Sequence, residues 1–99
     1  MTKAEIVDRI ATGTGLTRIE TEAVVNGFFS TVVEALREGD NIEIRGFGTF
    51  RVQHRAARSA RNPQTNVEME IEERYVPVFK PSKEFRGVID EAWKARRNP

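Results

Sequence analysis

Between Ile44 and Val67 the chain carries five arginines, Arg45, Arg51, Arg55, Arg58 and Arg61, and no acidic residue. The stretch closes on Arg61-Asn62-Pro63-Gln64-Thr65, a polar turn containing a proline. The formal net charge of the 99-residue chain is only +1, so this concentration is segregation and does not follow from a basic composition. Guanidinium groups with no carboxylate beside them make a surface suited to phosphates. Twelve of the sixteen basic residues are arginine, which favours planar, bidentate contacts over point-charge ones.

The remaining charge is also sorted along the chain. Residues 1–43 sum to −4, residues 68–79 to −3 and residues 80–99 to +3. An acidic body, an acidic return segment and two basic zones describe a molecule with distinct sides. No cysteine is present, which excludes disulfides and zinc–thiolate sites. No apolar run reaches the length of a membrane span, and the N-terminus opens straight into a helical pattern, so the reading is an unprocessed cytoplasmic protein.

The elements that must carry these residues follow from periodicity. Thr2 and Glu5 have the spacing of a capping box, and Ile6, Val7, Ile10 and Ala11 then fall at helical spacing until Gly13 and Gly15. Thr17 and Glu20 repeat the box ahead of a longer helix whose broad apolar face includes Val24, Val25, Phe28, Phe29, Val32, Val33 and Leu36, stopped by Gly39. After Asn41 the period changes to two, with Ile42 and Ile44, then a reversal at Gly46-Phe47-Gly48 and a strand running through the arginines to Pro63. The return strand places Val67, Met69 and Ile71 on one face and Glu68, Glu70 and Glu72 on the other. Glu72-Glu73 interrupts its phase, which reads as a bulge. Ser82 is placed to cap a third helix, with Phe85, Val88, Ile89, Ala92 and Trp93 as its apolar stripe, and Arg96 to Pro99 read as a frayed end. The order is α-α-β-β-β-α, one domain over residues 1–99.

Residues 53–75 would form a two-stranded ribbon with few large apolar side chains toward its end. Such a ribbon has little to bury and should project from the body. The remaining helical faces are more apolar than so small a body covers alone, so the chain should pair with a second copy, giving two arms.

Each candidate residue has an ordinary reading beside the functional one. Arg55, Arg58 and Arg61 recur every three residues, and strict alternation sets Arg58 on the face opposite the other two. A twisted, bulged ribbon would spiral all three along a groove, whereas a merely solvated face would mix charge signs. Pro63 is either a simple turn former or a rigid apolar wedge at the tip of an arm. Lys80, Lys83 and Arg86 either snorkel over a small core or form, with Lys3, a second basic surface beneath the arms. His54, the only histidine, reads as a surface residue and at most a minor phosphate donor. The return-strand glutamates read as a solvated face placed to pair with arginines across the ribbon, not as metal ligands. No nucleophile–base set, glycine-rich phosphate loop or acid pair is present, so the expectation is no catalysis, no metal and no cofactor.

Gly46-Phe47-Gly48, Arg55-Ala56-Ala57-Arg58, Arg61-Asn62-Pro63-Gln64-Thr65 and Val76-Pro77-Val78-Phe79-Lys80-Pro81-Ser82-Lys83 together closely resemble the bacterial histone-like HU and integration host factor family, over residues 1 to about 91 without a gap. The resemblance implies an α+β fold: a helical base of a two-helix hairpin plus a C-terminal helix, and a three-stranded antiparallel sheet extended into a long β-ribbon arm. It implies an intertwined dimer, with an identical or paralogous second subunit, whose arms lie in the minor groove of double-stranded DNA with Pro63 intercalating. The residues matching family contacts are Arg55, Arg58, Arg61, Lys80 and Lys83. Arg51, Asn62, Gln64, Arg74, Lys3 and Arg86 complete the candidate DNA-binding set. The chain departs from the family pattern at Gln53, where a basic residue is usual, and at Arg51, where an acid is common. It departs also at Ala60, Asn66 and Ser82, each in place of a glycine, and at Glu72, often a proline. The tail from Trp93 to Pro99 runs past the usual end.

The expected function is that of an architectural nucleoid protein that binds and bends duplex DNA with little sequence preference, favouring bent, nicked or flexible sites. A sequence-specific bender of the integration host factor type is the alternative. A protein–protein scaffold pairing through its strands is a more distant one.

Overall fold

The computed structural model describes residues 1–97. Helix α1 spans Lys3–Thr14 and α2 spans Arg18–Arg37. Strands β1 (Ile42–Ile44) and β2 (Gly48–Arg55) follow, then β3 (Arg58–Arg61), β4 (Glu68–Ile71) and β5 (Arg74–Pro81), and α3 covers Lys83–Arg97. This is the expected order, with each long arm strand divided in two.

Local chemistry accounts for the helix limits. Thr17 and Glu20 form a reciprocal capping box: the Glu20 amide donates to Thr17 Oγ1 at 3.1 Å and the Thr17 amide donates to Glu20 Oε1 at 3.0 Å. At α1 only half of the predicted box forms, since the Glu5 amide donates to Thr2 Oγ1 at 3.3 Å without a return bond. Gly15, at φ 77°, ends α1 with its amide donating to the Ala11 carbonyl, a left-handed closure that suits glycine. Ser82 caps α3 as expected, accepting from the Phe85 amide at 3.1 Å. The α3 terminus does not fray at Arg96: the helix is formed through Arg97, while Asn98 and Pro99 lie outside the described residues.

A three-stranded antiparallel sheet has the order β1-β2-β5, and β3-β4 form a separate two-stranded ribbon. The body register pairs Phe50 with Phe79 and Arg55 with Arg74, and the arm register pairs Arg58 with Ile71 and Arg61 with Glu68. Both ladders keep one register. Two residues on each side, Ala56-Ala57 and Glu72-Glu73, are simply unpaired between them. The expected bulge is therefore absent, because a bulge needs an extra residue on one strand and the gap here is symmetric.

Alternation in that register gives the body sheet two unlike faces. Ile42, Ile44, Phe50, Val52, Pro77 and Phe79 share the face turned toward α2. Phe79 is the centre of an aromatic cluster, with ring centroids 4.7 Å from Phe50, 5.2 Å from Phe47 and 6.2 Å from Phe85. That cluster ties the β1–β2 turn, the sheet and α3 together. Gly48 must be glycine here: a Cβ would lie 2.5 Å from the Lys80 carbonyl oxygen and 2.7 Å from the Phe79 ring.

The single chain covers little of its apolar surface. Among the described residues only Val7, Thr21, Val25 and Gly48 are buried, while Val24 on α2 is 66% exposed and Trp93 on α3 is 63% exposed. An apolar groove of about 690 Å3 lies open between the C-terminal half of α2 and the sheet, lined in part by Val33, Leu36, Val52 and Pro77. The Cα radius of gyration is 19.1 Å. A compact chain of this length would have about 13 Å. The difference reflects the projecting ribbon and a body whose apolar faces look outward.

Candidate nucleic-acid interface

The face of the body sheet opposite α2 carries the candidate cations. Arg51 and Arg55 on β2 share it with Arg74 and Lys80 on β5, because Arg55 pairs with Arg74 and Thr49 with Lys80. Gln53 and the half-buried Val76 and Val78 lie between them on the same face. The exchange of a basic residue for Gln53 and of an acid for Arg51 thus keeps the charge on one face, moved by two residues along the strand. Register parity was the signal that joins Arg74 to Arg51 and Arg55.

Along the arm the cations separate. Arg61 shares a face with Ser59, Glu68 and Glu70, whereas Arg58 shares the other with Ala60, Met69 and Ile71. With no bulge, the three arginines at spacing three do not gather on one face as the spiral reading required. The arm instead offers two edges, one mixed in charge and one apolar with a single guanidinium.

The predicted arginine–glutamate pairs across the ribbon do not form either. The ion pairs among the described residues are Arg18–Asp8 and Lys94–Asp90, and the His54 ring meets the Glu73 carboxylate. None involves a candidate arginine or lysine of the arm or sheet face, so those charges are open to an outside anion. His54 is not a free phosphate donor: its Nε2 lies 2.7 Å from Glu73 Oε1, which also accepts from the Tyr75 hydroxyl at 3.3 Å.

Hydrogen bonds within the turn build the tip around Pro63. The Asn62 amide donates to the Val67 carbonyl at 3.0 Å, and the Asn66 amide returns to the Asn62 carbonyl at 2.7 Å. Asn62 Oδ1 accepts from the Gln64 amide at 2.9 Å, an Asx turn that braces the chain around Pro63. Asn66 has φ 58°, a left-handed conformation that asparagine accepts in place of glycine. Arg61 Nη1 donates to Asn66 Oδ1 at 3.3 Å, which holds that guanidinium at the base of the tip. Pro63 and Gln64 are exposed.

The second basic group is only partly assembled. Lys80 leads directly into α3, where Lys83 and Arg86 are exposed on its first turns. Lys3 is placed elsewhere in its bonding: its Nζ donates to Asn26 Oδ1 at 3.0 Å, on the α1–α2 hairpin. No group of histidine and carboxylate side chains suited to a metal ion occurs among the described residues. No helix among them is long and apolar enough to cross a membrane.

A helical base, a sheet with one basic face and a projecting ribbon tipped by proline define an arm-bearing, anion-directed binding protein. Residues 1–90 match the family model described as bacterial DNA-binding protein. The chain belongs to that family. It is 43% identical over 89 residues to DNA-binding protein HU of Geobacillus stearothermophilus, covering 90% of this chain and 99% of the relative. It is 44% identical over 91 residues to the integration host factor subunit beta of Shewanella pealeana, covering 91% and 96%. Among solved structures it is similar to HU in an Anabaena HU–DNA cocrystal, with TM-score 0.83, 39% identity and coverage of 90% and 97%. HU from Thermotoga maritima matches with TM-score 0.66 and 27% identity, covering 90% and 98%.

Proposed function

We propose that the chain is an architectural protein of the nucleoid that binds and bends double-stranded DNA, with little preference for sequence. The observation that carries this is the unpaired basic face of Arg51, Arg55, Arg74 and Lys80, continued by an arm that ends in exposed Pro63. The face contacts phosphates, the arm follows the minor groove, and Arg58, Arg61, Asn62 and Gln64 grip it near the tip. Pro63 enters between base pairs and opens a kink, a step that a rigid apolar ring makes without leaving a polar group unpaired. Lys80, Lys83 and Arg86 hold the flanking duplex, with Lys3 adding a contact from the hairpin. Residues 1–99 act as one unit with residues 53–75 as the arm.

The working form is a dimer. The open apolar groove and the exposed faces of α2 and α3 are covered by a second copy, and twofold symmetry then sets two arms around one duplex. The likeness to an integration host factor subunit beta favours a second reading, in which the partner is a paralogous chain and binding is sequence-specific.

Equilibrium binding to linear, nicked and four-way-junction DNA across a salt series tests the proposal. Affinity should fall steeply with salt, by about 0.9 in log–log slope per neutralised phosphate, and should be higher for the distorted substrates. A specificity ratio above roughly 10^3 for one sequence over random duplex selects the second reading. Pro63→Ala should fold normally and reduce the bend seen by end-to-end FRET; an unchanged angle removes the wedge from the mechanism.

A further inference from the structure

The family model ends at residue 90, but α3 continues to Arg97, and what the continuation adds is ordered with respect to the rest of the helix. At about 100° per residue, Lys83, Arg86, Asp90, Lys94 and Arg97 fall within an arc of about 80°. The apolar stripe of Phe85, Ile89, Ala92 and Trp93 occupies the adjoining arc, with Trp93 bordering Arg86. The four cations are exposed and form a ridge about 21 Å long. Arg96 is kept off this ridge, with its guanidinium 4.7 Å from the centre of the Trp93 ring.

Helix-dipole compensation explains cations in the last turn of a helix, and Lys94 and Arg97 are there. It does not explain Lys83 and Arg86, which sit at the positive end, where the dipole opposes them. A ridge basic at both ends of the helix fits an external polyanion. The one carboxylate on it, Asp90, is already engaged by Lys94 at 2.9 Å. That pair is exposed and exchangeable, since a solvent-screened surface ion pair is weak.

We propose that this ridge is a DNA-phosphate track that extends the flanking contact of Lys83 and Arg86 outward to Lys94 and Arg97, residues beyond the family's matched span. The inference rests on the DNA-binding reading above. The ridge lengthens the duplex segment held at each side of the bend, and Asp90 tunes it by holding Lys94 until a phosphate displaces it.

The test uses the full chain, 40-base-pair random duplex and a salt series. Lys94→Gln/Arg97→Gln should lower the log–log salt slope by about one to two, since each lost phosphate contact removes about 0.9. Lys94→Arg/Arg97→Lys should keep the wild-type slope. Asp90→Asn, which frees Lys94, should bind more tightly than wild type at low salt, a gain that misfolding cannot mimic. Wild-type binding with an unchanged slope in the double glutamine variant and no gain in Asp90→Asn overturns the track and leaves the DNA-binding reading standing. Absence of wild-type binding at low salt overturns both.

Discussion

Glu73 and His54 meet at 2.7 Å across the junction between body and arm, joining an unpaired residue of one strand to the penultimate residue of β2. Tyr75 lies beside His54, with ring centroids 5.0 Å apart and the rings tilted by 44°, and its hydroxyl donates to the same carboxylate oxygen. Three side chains thus brace the body side of the joint that the backbone ladder leaves open at Ala56-Ala57 and Glu72-Glu73. The contact should bear on the arm's mobility more than on the fold's stability, because both groups are solvent-exposed. Glu73→Ala should change unfolding free energy by less than about 1 kcal/mol. Amide exchange of β3 and β4 should nonetheless quicken relative to β2 and β5. Equal protection in variant and wild type would show that the bridge does not brace the arm.

Gly48→Ala should be among the costliest single-methyl changes in the body. The new Cβ meets a backbone oxygen of β5, which cannot give way without parting the β2–β5 ladder, and the Phe79 ring behind it. A loss of roughly 1–3 kcal/mol is expected, read as a drop in urea midpoint. The same variant should weaken DNA binding, since Lys80 supplies the crowded carbonyl and also stands on the basic face.

Stability should fall in acid through the α2 cap. Hydrogen bonding by the Thr17 side chain, and then by its backbone amide, holds the Glu20 carboxyl below the usual carboxylate range. A depressed folded-state value means that the contribution is present at neutral pH and is lost as pH falls through that value. Glu20→Gln should therefore flatten the acid limb of a melting-temperature profile, and Thr17→Ala should cost about 1 kcal/mol at neutral pH. Protein concentration must be fixed throughout, because melting of a dimer depends on it.

Val33→Asp tests the apolar face directly. Val33 lines the open groove beside Leu36 and Phe50, and a carboxylate there would have to be buried without a partner in the dimer. Sedimentation should show loss of the dimer at micromolar concentration. A variant that still sediments as a dimer would move the interface elsewhere.

The elements were legible because capping pairs and periodicity are local. Thr17 with Glu20, Ser82 before α3 and the change to alternation at Ile42 each settle within a few residues. The arm's geometry was not. Whether Arg58 lies beside Arg55 or against Met69 depends on the partner strand's register, and the glutamate run suggested a bulge that a symmetric gap replaces. The ion pairs were misread for a related reason: register sets Arg61 opposite Glu68, but side-chain reach and solvation decide whether they touch. The exposed turn at Pro63 was legible from sequence, while the grouping of Arg51, Arg55, Arg74 and Lys80 needed β2 to be paired with the distant β5.

The constant register on both sides of the unpaired joint has a consequence for how this arm can vary. Adding one residue to one strand would force a bulge at the joint. Adding one to each strand would keep every pairing but exchange the arm's apolar face with its Arg61 face relative to the body, because side chains alternate along a strand. Only two residues added to each strand would lengthen the reach with both faces kept. Descendants of this chain should therefore gain or lose arm residues two per strand, a rule of inheritance written into a ladder with a missing rung.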